Sequence, residues 1–216
     1  CDYYAANIKF NEDGMPSFDV CHDGKLLSRV QLAVPGEHNI LNALAAFTCA
    51  CVLGVEPALT KETLEAYHGT QRRFDLVGTT AKGVKIVDDY AHHPTEIKAT
   101  LSASENVPHN KLWCIFQPHT YTRTIALFDE FADAFEKADH LILAEIYAAR
   151  EKNIYKISSA QLAEKIKETH PDKDVLFMED FAAIADYVDD QAQRGDMVIT
   201  MGAGDIYKVG EMLLER

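Results

Sequence analysis

Val84–Leu101 reads VKIVDDYAHHPTEIKATL. Val84, Ile86 and Val87, with Lys85 among them, have the character of a strand, and the stretch ends in two adjacent carboxylates, Asp88 and Asp89. Pro94 suits the first helical position, because the N–H it lacks is one that a helix start leaves unpaired anyway. The stretch therefore predicts a strand over Val84–Asp88, a polar turn, and a helix over roughly 94–106. A strand that turns directly into a helix is the opening of a strand–helix–strand unit. The pattern repeats downstream. Strands are predicted at Lys111–Gln117, His140–Ile146, Val175–Met178 and Met197–Thr200, and helices at 122–138, 158–169, 179–194 and 205–215. Such alternation implies an α/β fold, Rossmann-like, with a mostly parallel sheet and helices on both faces. Upstream, Phe74–Thr79 pairs with Val84–Asp88 as a hairpin around Ala81-Lys82-Gly83.

Residues 1–72 read differently from 73–216, and a domain boundary is expected at 70–75. Short β-like runs before residue 34 are separated by the Asp-Gly turns of NEDGMP and HDGK. A helix follows, opening near Glu37–Asn39 with Asn39 as its N-cap and stopping at Gly54; a second runs from Pro57 through Tyr67 to Gly69. The start, CDYYAANIKF, has neither the basic nor the apolar region of a signal peptide, lacks a Met, and reads as a piece of a longer protein.

The chain has 216 residues with a formal net charge of −13. That balance speaks against nucleic acid or an anionic membrane as partner, while leaving room for a local basic pocket. No run of about 18 apolar residues is present, so no membrane helix is expected. Five scattered cysteines, an odd number, suit a reducing cytoplasm.

In parallel sheets ligands bind at the carboxyl ends of the strands. Four polar clusters fall at that rim: DDYAHHP after the first parallel strand, QPHTYTRT (Gln117–Thr124) after the second, EIYAARE (Glu145–Glu151) after the third and MGAGD (Met201–Asp205) after the last. Asp88 or Asp89 could accept from sugar hydroxyls, and Tyr90 and His92 could line a small polar pocket. Arg123 could clamp a carboxylate in a bidentate way. Arg72 and Arg73, in QRRF at the boundary, could reach phosphate oxygens. His38, Asn39 and Asn42 lie on the first turn of the first long helix, and a carboxamide among apolar neighbours calls for a polar partner such as an adenine edge. His92, His93 and His119 with an aspartate have zinc-ligand chemistry, but adjacent histidines diverge and no H-x-x-x-H spacing occurs, so no metal role is assigned.

PGEHNILNALAA, RRFDLVG, DDYAHHPTEI, FQPHTYTRT and ITMGAGDI, in this order, resemble the Mur ligases of peptidoglycan synthesis. The resemblance runs from about residue 34 to the end, and points to the branch that acts on UDP-N-acetylmuramate and L-alanine. It implies that residues 1–72 are the tail of a P-loop-type central ATPase domain and 73–216 the Rossmann-like carboxyl-terminal domain. It further implies ATP-dependent amide formation, in which magnesium assists phosphorylation of the muramoyl carboxylate and L-alanine attacks the acyl phosphate. By that resemblance His38, Asn39 and Asn42 lie on the adenine side, Arg73 or Arg72 contacts phosphate, and one of Asp88 and Asp89 contacts ribose. Tyr90, His92, His119 and Arg123 form the amino-acid pocket, with Arg73, His92 and Arg123 closest to the chemistry. The family often has Gly where Ala91 stands and Arg where Thr120 stands; the second change removes a cation near the pocket. No G-x-x-x-x-G-K-[ST] occurs, so the phosphate loop, the metal ligands and the UDP-binding domain are expected before Cys1, and the chain alone is expected to be inactive. Three other readings compete: the tripeptide-recycling branch of the same family, which should lack the QPHTYTRT form, a nucleotide or amino-acid binding module without chemistry, and a metal hydrolase using the His cluster.

Overall fold

The computed structural model describes Asp2–Arg216. The chain divides into two compact units, the first reaching to Thr70 and including Ser102–Pro108, the second comprising Gln71–Leu101 and His109–Arg216.

The first unit is an antiparallel meander of β1 (Tyr3–Phe10), β2 (Pro16–His22) and β3 (Lys25–Gln31), with α1 (Glu37–Val52) and α2 (Pro57–Glu65). Asp23 and Gly24 both have positive φ, 48° and 75°, the mirror-image turn whose twist matches paired strands. Phe18, Val20 and Val30 of the sheet meet Ile40, Ala43 and Phe47 of α1 in one apolar cluster. The start of α1 corrects the expectation at Asn39. The N-cap is Gly36, at φ 98° and ψ 140°, and Asn39 sits inside the first turn with its Nδ2 donating to Pro35 O at 2.7 Å. Gly36 takes the corner because its φ belongs to glycine, and a Cβ there would come within 2.7 Å of the His38 ring.

The second unit is built on a six-stranded sheet. Its strands are β4 (Asp75–Thr79), β5 (Lys85–Asp89), β6 (Leu112–Phe116), β7 (His140–Leu143), β8 (Asp174–Phe177) and β9 (Met197–Met201). Their order is β4-β5-β9-β6-β7-β8, with only β4 antiparallel. The helices are α3 (Pro94–Ser104, whose last three residues group with the first unit), α4 (Tyr121–Ala126), α5 (Phe128–Ala132), α6 (Ser159–Thr169), α7 (Phe181–Gln191) and α8 (Tyr207–Leu214). Every residue of β6 and β9 is buried, as strands covered on both faces must be. Ile86, Ile115, Ile142 and Val198 point to the face covered by Ile184 and Val188 of α7 and Val209 and Leu213 of α8. Phe116 points the other way, its ring 5.6 Å from Phe131 and 5.1 Å from Phe135.

The single helix expected over 122–138 is two short ones. Leu127, at φ −116° and ψ 25°, leaves the helical region between them, and Phe131, Ala132, Ala134 and Phe135 beyond it are buried. Among the described residues, no helix is long and apolar enough to cross a membrane.

Candidate active site

The parallel order β5-β9-β6-β7 brings the segments after these four strands to one rim of the second unit. Phe116 and Asp89 both pair with Met201 at the ends of their strands, so Tyr90, Gln117 and Gly202 leave the sheet side by side.

Arg72 and the two aspartates form the floor. Arg72 Nε donates to Asp88 Oδ2 at 2.8 Å, and its Nη2 donates to Gly202 O at 2.7 Å and Gly204 O at 3.2 Å. The guanidinium lies 5.0 Å from the Tyr90 ring centroid and 4.9 Å from that of Tyr207. The other oxygen of Asp88 accepts from Thr200 Oγ1 at 2.8 Å. Asp89 is buried and accepts from the backbone N–H of Ala91 and of Phe74, each at 2.7 Å. Burial pushes its carboxyl above the ordinary value, outweighing those two N–H groups and the charge of Arg73. Arg73, by contrast, is exposed, resting 5.6 Å from the Tyr90 ring.

Two imidazoles stand above this floor, their ring centroids 6.0 Å apart. His92 Nδ1 lies 2.9 Å from Tyr90 O, and its ring meets the Tyr90 ring edge-on at 5.4 Å. Glu96, in the first turn of α3, accepts from the backbone N–H of His92 at 3.0 Å and of His93 at 3.3 Å. Burial alone would raise the Glu96 carboxyl, but the His92 N–H, the charges of His92 and Arg73, and the His93 N–H hold it below the ordinary value. The His93 ring is turned to the helix start, accepting from Thr95 N–H at 3.3 Å.

His119 stacks on Tyr147 at 5.5 Å with 19° between the rings. Arg123 Nη1 approaches His119 Nδ1 at 3.4 Å. A guanidinium only donates, so the facing Nδ1 accepts and Nε2 carries the hydrogen of the neutral ring. Burial, together with the charges of Arg123 and His92, holds His119 below its ordinary value, against the opposing pull of Glu151. The two loops behind the pair are joined: Thr120 N donates to Tyr147 O and Tyr147 N to Pro118 O, both at 2.9 Å. Glu151 accepts from Thr122 N at 2.9 Å and also from the Thr122 hydroxyl. Gly204 is packed beneath, where a Cβ would lie 2.4 Å from Gln117 Oε1 and 2.8 Å from the Tyr147 ring.

The structure thus gathers Arg72, Arg73, Asp88, Asp89, Tyr90, His92, His119 and Arg123 at one rim, with Arg72 and Asp88 engaged on each other. His38, Asn39 and Asn42 belong to the first unit. His38 and Asn42 are exposed on α1, and Asn42 Nδ2 donates to Asn39 Oδ1 at 3.2 Å. Asn42 is therefore not the buried amide its apolar neighbours suggest, because Leu41 beside it is itself 66% exposed. Sequence reasoning missed Glu96, Tyr147 and Glu151 as site residues. Glu96 follows Pro94 by two places, where carboxylates reach back to a helix start, and that spacing was the available signal. Among the described residues no group of three His, Cys, Asp or Glu is arranged to hold a metal ion.

Residues 72–204 match the family described as Mur ligase, glutamate ligase domain. The chain is 47% identical over 215 residues to the UDP-N-acetylmuramate–L-alanine ligase of Clostridium acetobutylicum, a match covering 100% of this chain and 46% of that protein. The solved UDP-N-acetylmuramate–alanine ligase of Thermotoga maritima superposes with a TM-score of 0.82 at 28% identity, covering 100% of this chain and 45% of that one. A murein peptide ligase from Psychrobacter arcticus superposes with a TM-score of 0.70 at 25% identity, covering 99% and 44%. The chain thus spans somewhat under half the length of the relatives it matches.

Proposed function

The chain belongs to the Mur ligase family, and from that membership we propose that it supplies the acceptor side of an ATP-dependent ligase joining L-alanine to UDP-N-acetylmuramate. The observation that carries the reading is the Arg123–His119 pair, at the rim beside His92. A guanidinium and an imidazole N–H next to each other are two donors suited to one carboxylate. With the carboxylate of L-alanine held there, its amino group faces the His92 side of the pocket, and Tyr90 and Tyr147 bound the space for the side chain.

ATP, when bound, supplies the phosphoryl group that turns an unreactive carboxylate into an acyl phosphate with a leaving group. Three of the residues that fit it, Arg73, His38 and Asn42, are exposed. Arg73 is the arginine available for phosphate oxygens, since Arg72 is committed to Asp88 and two carbonyls. His38 and Asn42 present a ring and a carboxamide on the open face of α1, the chemistry an adenine edge takes. Asp88 and Asp89 hold the floor through inward hydrogen bonds, and a ribose contact would use lone pairs those bonds leave over. Magnesium would neutralise the phosphates in transfer, and this chain's own residues are assigned no part in holding it. The free cysteines, Cys21, Cys49, Cys51 and Cys114, fit a cytoplasmic protein.

The test uses a chimeric ligase in which this chain replaces the matching part of the Clostridium acetobutylicum relative. Arg123→Ala is expected to raise KM for L-alanine roughly 100-fold, the worth of a charge-assisted carboxylate clamp, with KM for ATP unchanged. An unchanged KM for L-alanine would remove Arg123 from the acceptor pocket.

A further inference from the structure

The amino group of an incoming amino acid arrives at neutral pH as an ammonium, and an ammonium has no lone pair with which to attack. The pocket needs a proton acceptor. Two imidazoles are present, and their hydrogen bonds set them apart. His119 turns Nδ1 to the donating guanidinium of Arg123, so its other nitrogen carries the hydrogen of the neutral ring and is a donor. His92 is reversed. Its Nδ1 lies 2.9 Å from the carbonyl oxygen of Tyr90, and a carbonyl can only accept. The hydrogen of the neutral ring therefore sits on Nδ1, and Nε2 keeps its lone pair.

Glu96 reinforces this arrangement from two directions. Its Oε2 lies 3.5 Å from His92 Nδ1, and the same oxygen accepts the backbone N–H of His92 at 3.0 Å. One carboxylate oxygen thus fixes the segment that carries the ring and places a negative charge beside the Nδ1 side of it. A carboxylate in that position favours the imidazolium that forms when Nε2 takes a proton, and fixes which nitrogen does so. The Glu96 side chain is 39% exposed and that of His92 20%, so the pair is open to solvent on one side while the ring is held. The other charged or titratable groups that face His92 are Tyr90, His119 with Arg123 behind it, and Arg73, whose charge acts on Glu96.

We infer that Glu96 is a positioning residue for His92, holding it with the Tyr90 carbonyl in the Nδ1–H form so that Nε2 acts as the base that receives the proton of the attacking amine. The inference rests on the reading of this pocket as an amino-acid site. The step balances as follows. The ammonium gives one proton to His92 Nε2, and the freed lone pair forms the C–N bond to the acyl-phosphate carbon. The C–O bond to phosphate breaks with its electron pair on the departing phosphate, which takes the second proton lost by nitrogen. His92 then returns its proton to solvent.

The experiment has two arms. In the first, long-range proton–nitrogen spectra of the uniformly nitrogen-15-labelled 216-residue chain are followed against pH for the wild type, Glu96→Gln and Glu96→Ala. The wild type is expected to show His92 protonated on Nδ1 in its neutral form. Glu96→Gln keeps an oxygen that accepts the His92 and His93 N–H groups, so the fold is retained, while loss of the charge beside Nδ1 is expected to lower the share of the Nδ1–H form in the neutral ring. A neutral His92 protonated on Nε2 in the wild type, or a tautomer ratio unchanged in both variants, would overturn the inference. In the second arm, kcat and KM of the chimeric ligase are measured with L-alanine. Glu96→Gln is expected to lower kcat about tenfold and His92→Gln at least about 100-fold, each with KM for ATP unchanged. Full kcat in either variant would overturn the base role while leaving the ligase reading in place. Spectra as expected with no response to any amino acid would overturn the reading and the base role together, and leave only the hydrogen-bond geometry.

Discussion

Arg72 and Arg73 are neighbours with different duties, and sequence alone could not separate them, because a guanidinium at a domain boundary looks the same whether it faces a ligand or the protein. The difference lies in the backbone. Arg72 has φ 60°, which swings its side chain under the rim to Asp88 and the carbonyls of Gly202 and Gly204. The Arg72 side chain is 25% exposed and that of Asp88 6%. Arg72→Ala leaves that carboxylate without its cation and is expected to cost about 3–5 kcal/mol in urea unfolding. Arg73→Ala is expected to change stability by no more than about 0.5 kcal/mol. Asp89 sets a pH dependence of its own. Its folded pKa is raised by burial, so the folded chain holds the proton more tightly than the unfolded one. It therefore contributes stability in full below the unfolded value of 3.8 and loses that contribution as pH rises through the higher folded value. The unfolding midpoint of the wild type, taken from pH 3 upward, is expected to fall relative to that of Asp89→Asn as pH rises, because the amide does not titrate; a constant difference would contradict the burial argument.

At the scale of the elements, the polar rim was readable because each motif ends a strand, and strand ends follow from apolar runs of the right length. The break at Leu127 was not, since 122–138 carries a helical spacing throughout. Beyond it Phe135 is buried against Phe116. Phe135→Ala is expected to destabilise the second unit by about 3–5 kcal/mol. The start of α4 carries strain. Thr120, a β-branched residue, has φ 68° and ψ 143°, a conformation that glycine adopts readily and threonine does not. Two backbone bonds to the Tyr147 segment and the Glu151–Thr122 contacts hold it there. Relief of that strain should exceed the entropy cost of glycine, so Thr120→Gly is expected to raise stability by about 1 kcal/mol. A loss of stability would show that the threonine side chain contributes more than its backbone conformation costs.

For the whole molecule, the alternation of strands and helices announced a parallel sheet, while the position of β9 between β5 and β6 did not follow from chain order. A strand late in sequence can pair anywhere its apolar faces and crossover allow. Its central place is what lays Gly202 and Gly204 under Arg72 and Tyr147, so the floor of the site was legible only in three dimensions. The chain spans somewhat under half the length of each relative it matches. The 216-residue chain by itself is accordingly expected to release no phosphate from ATP with UDP-N-acetylmuramate and L-alanine, and turnover by it alone would contradict that expectation. The most direct test of the central claim is phosphate release by the chimeric ligase with ATP, magnesium and UDP-N-acetylmuramate, titrated in turn with L-alanine, glycine, L-serine and the recycling tripeptide. The account predicts strong stimulation by L-alanine; stimulation by the tripeptide alone, or by none of the four, would contradict it.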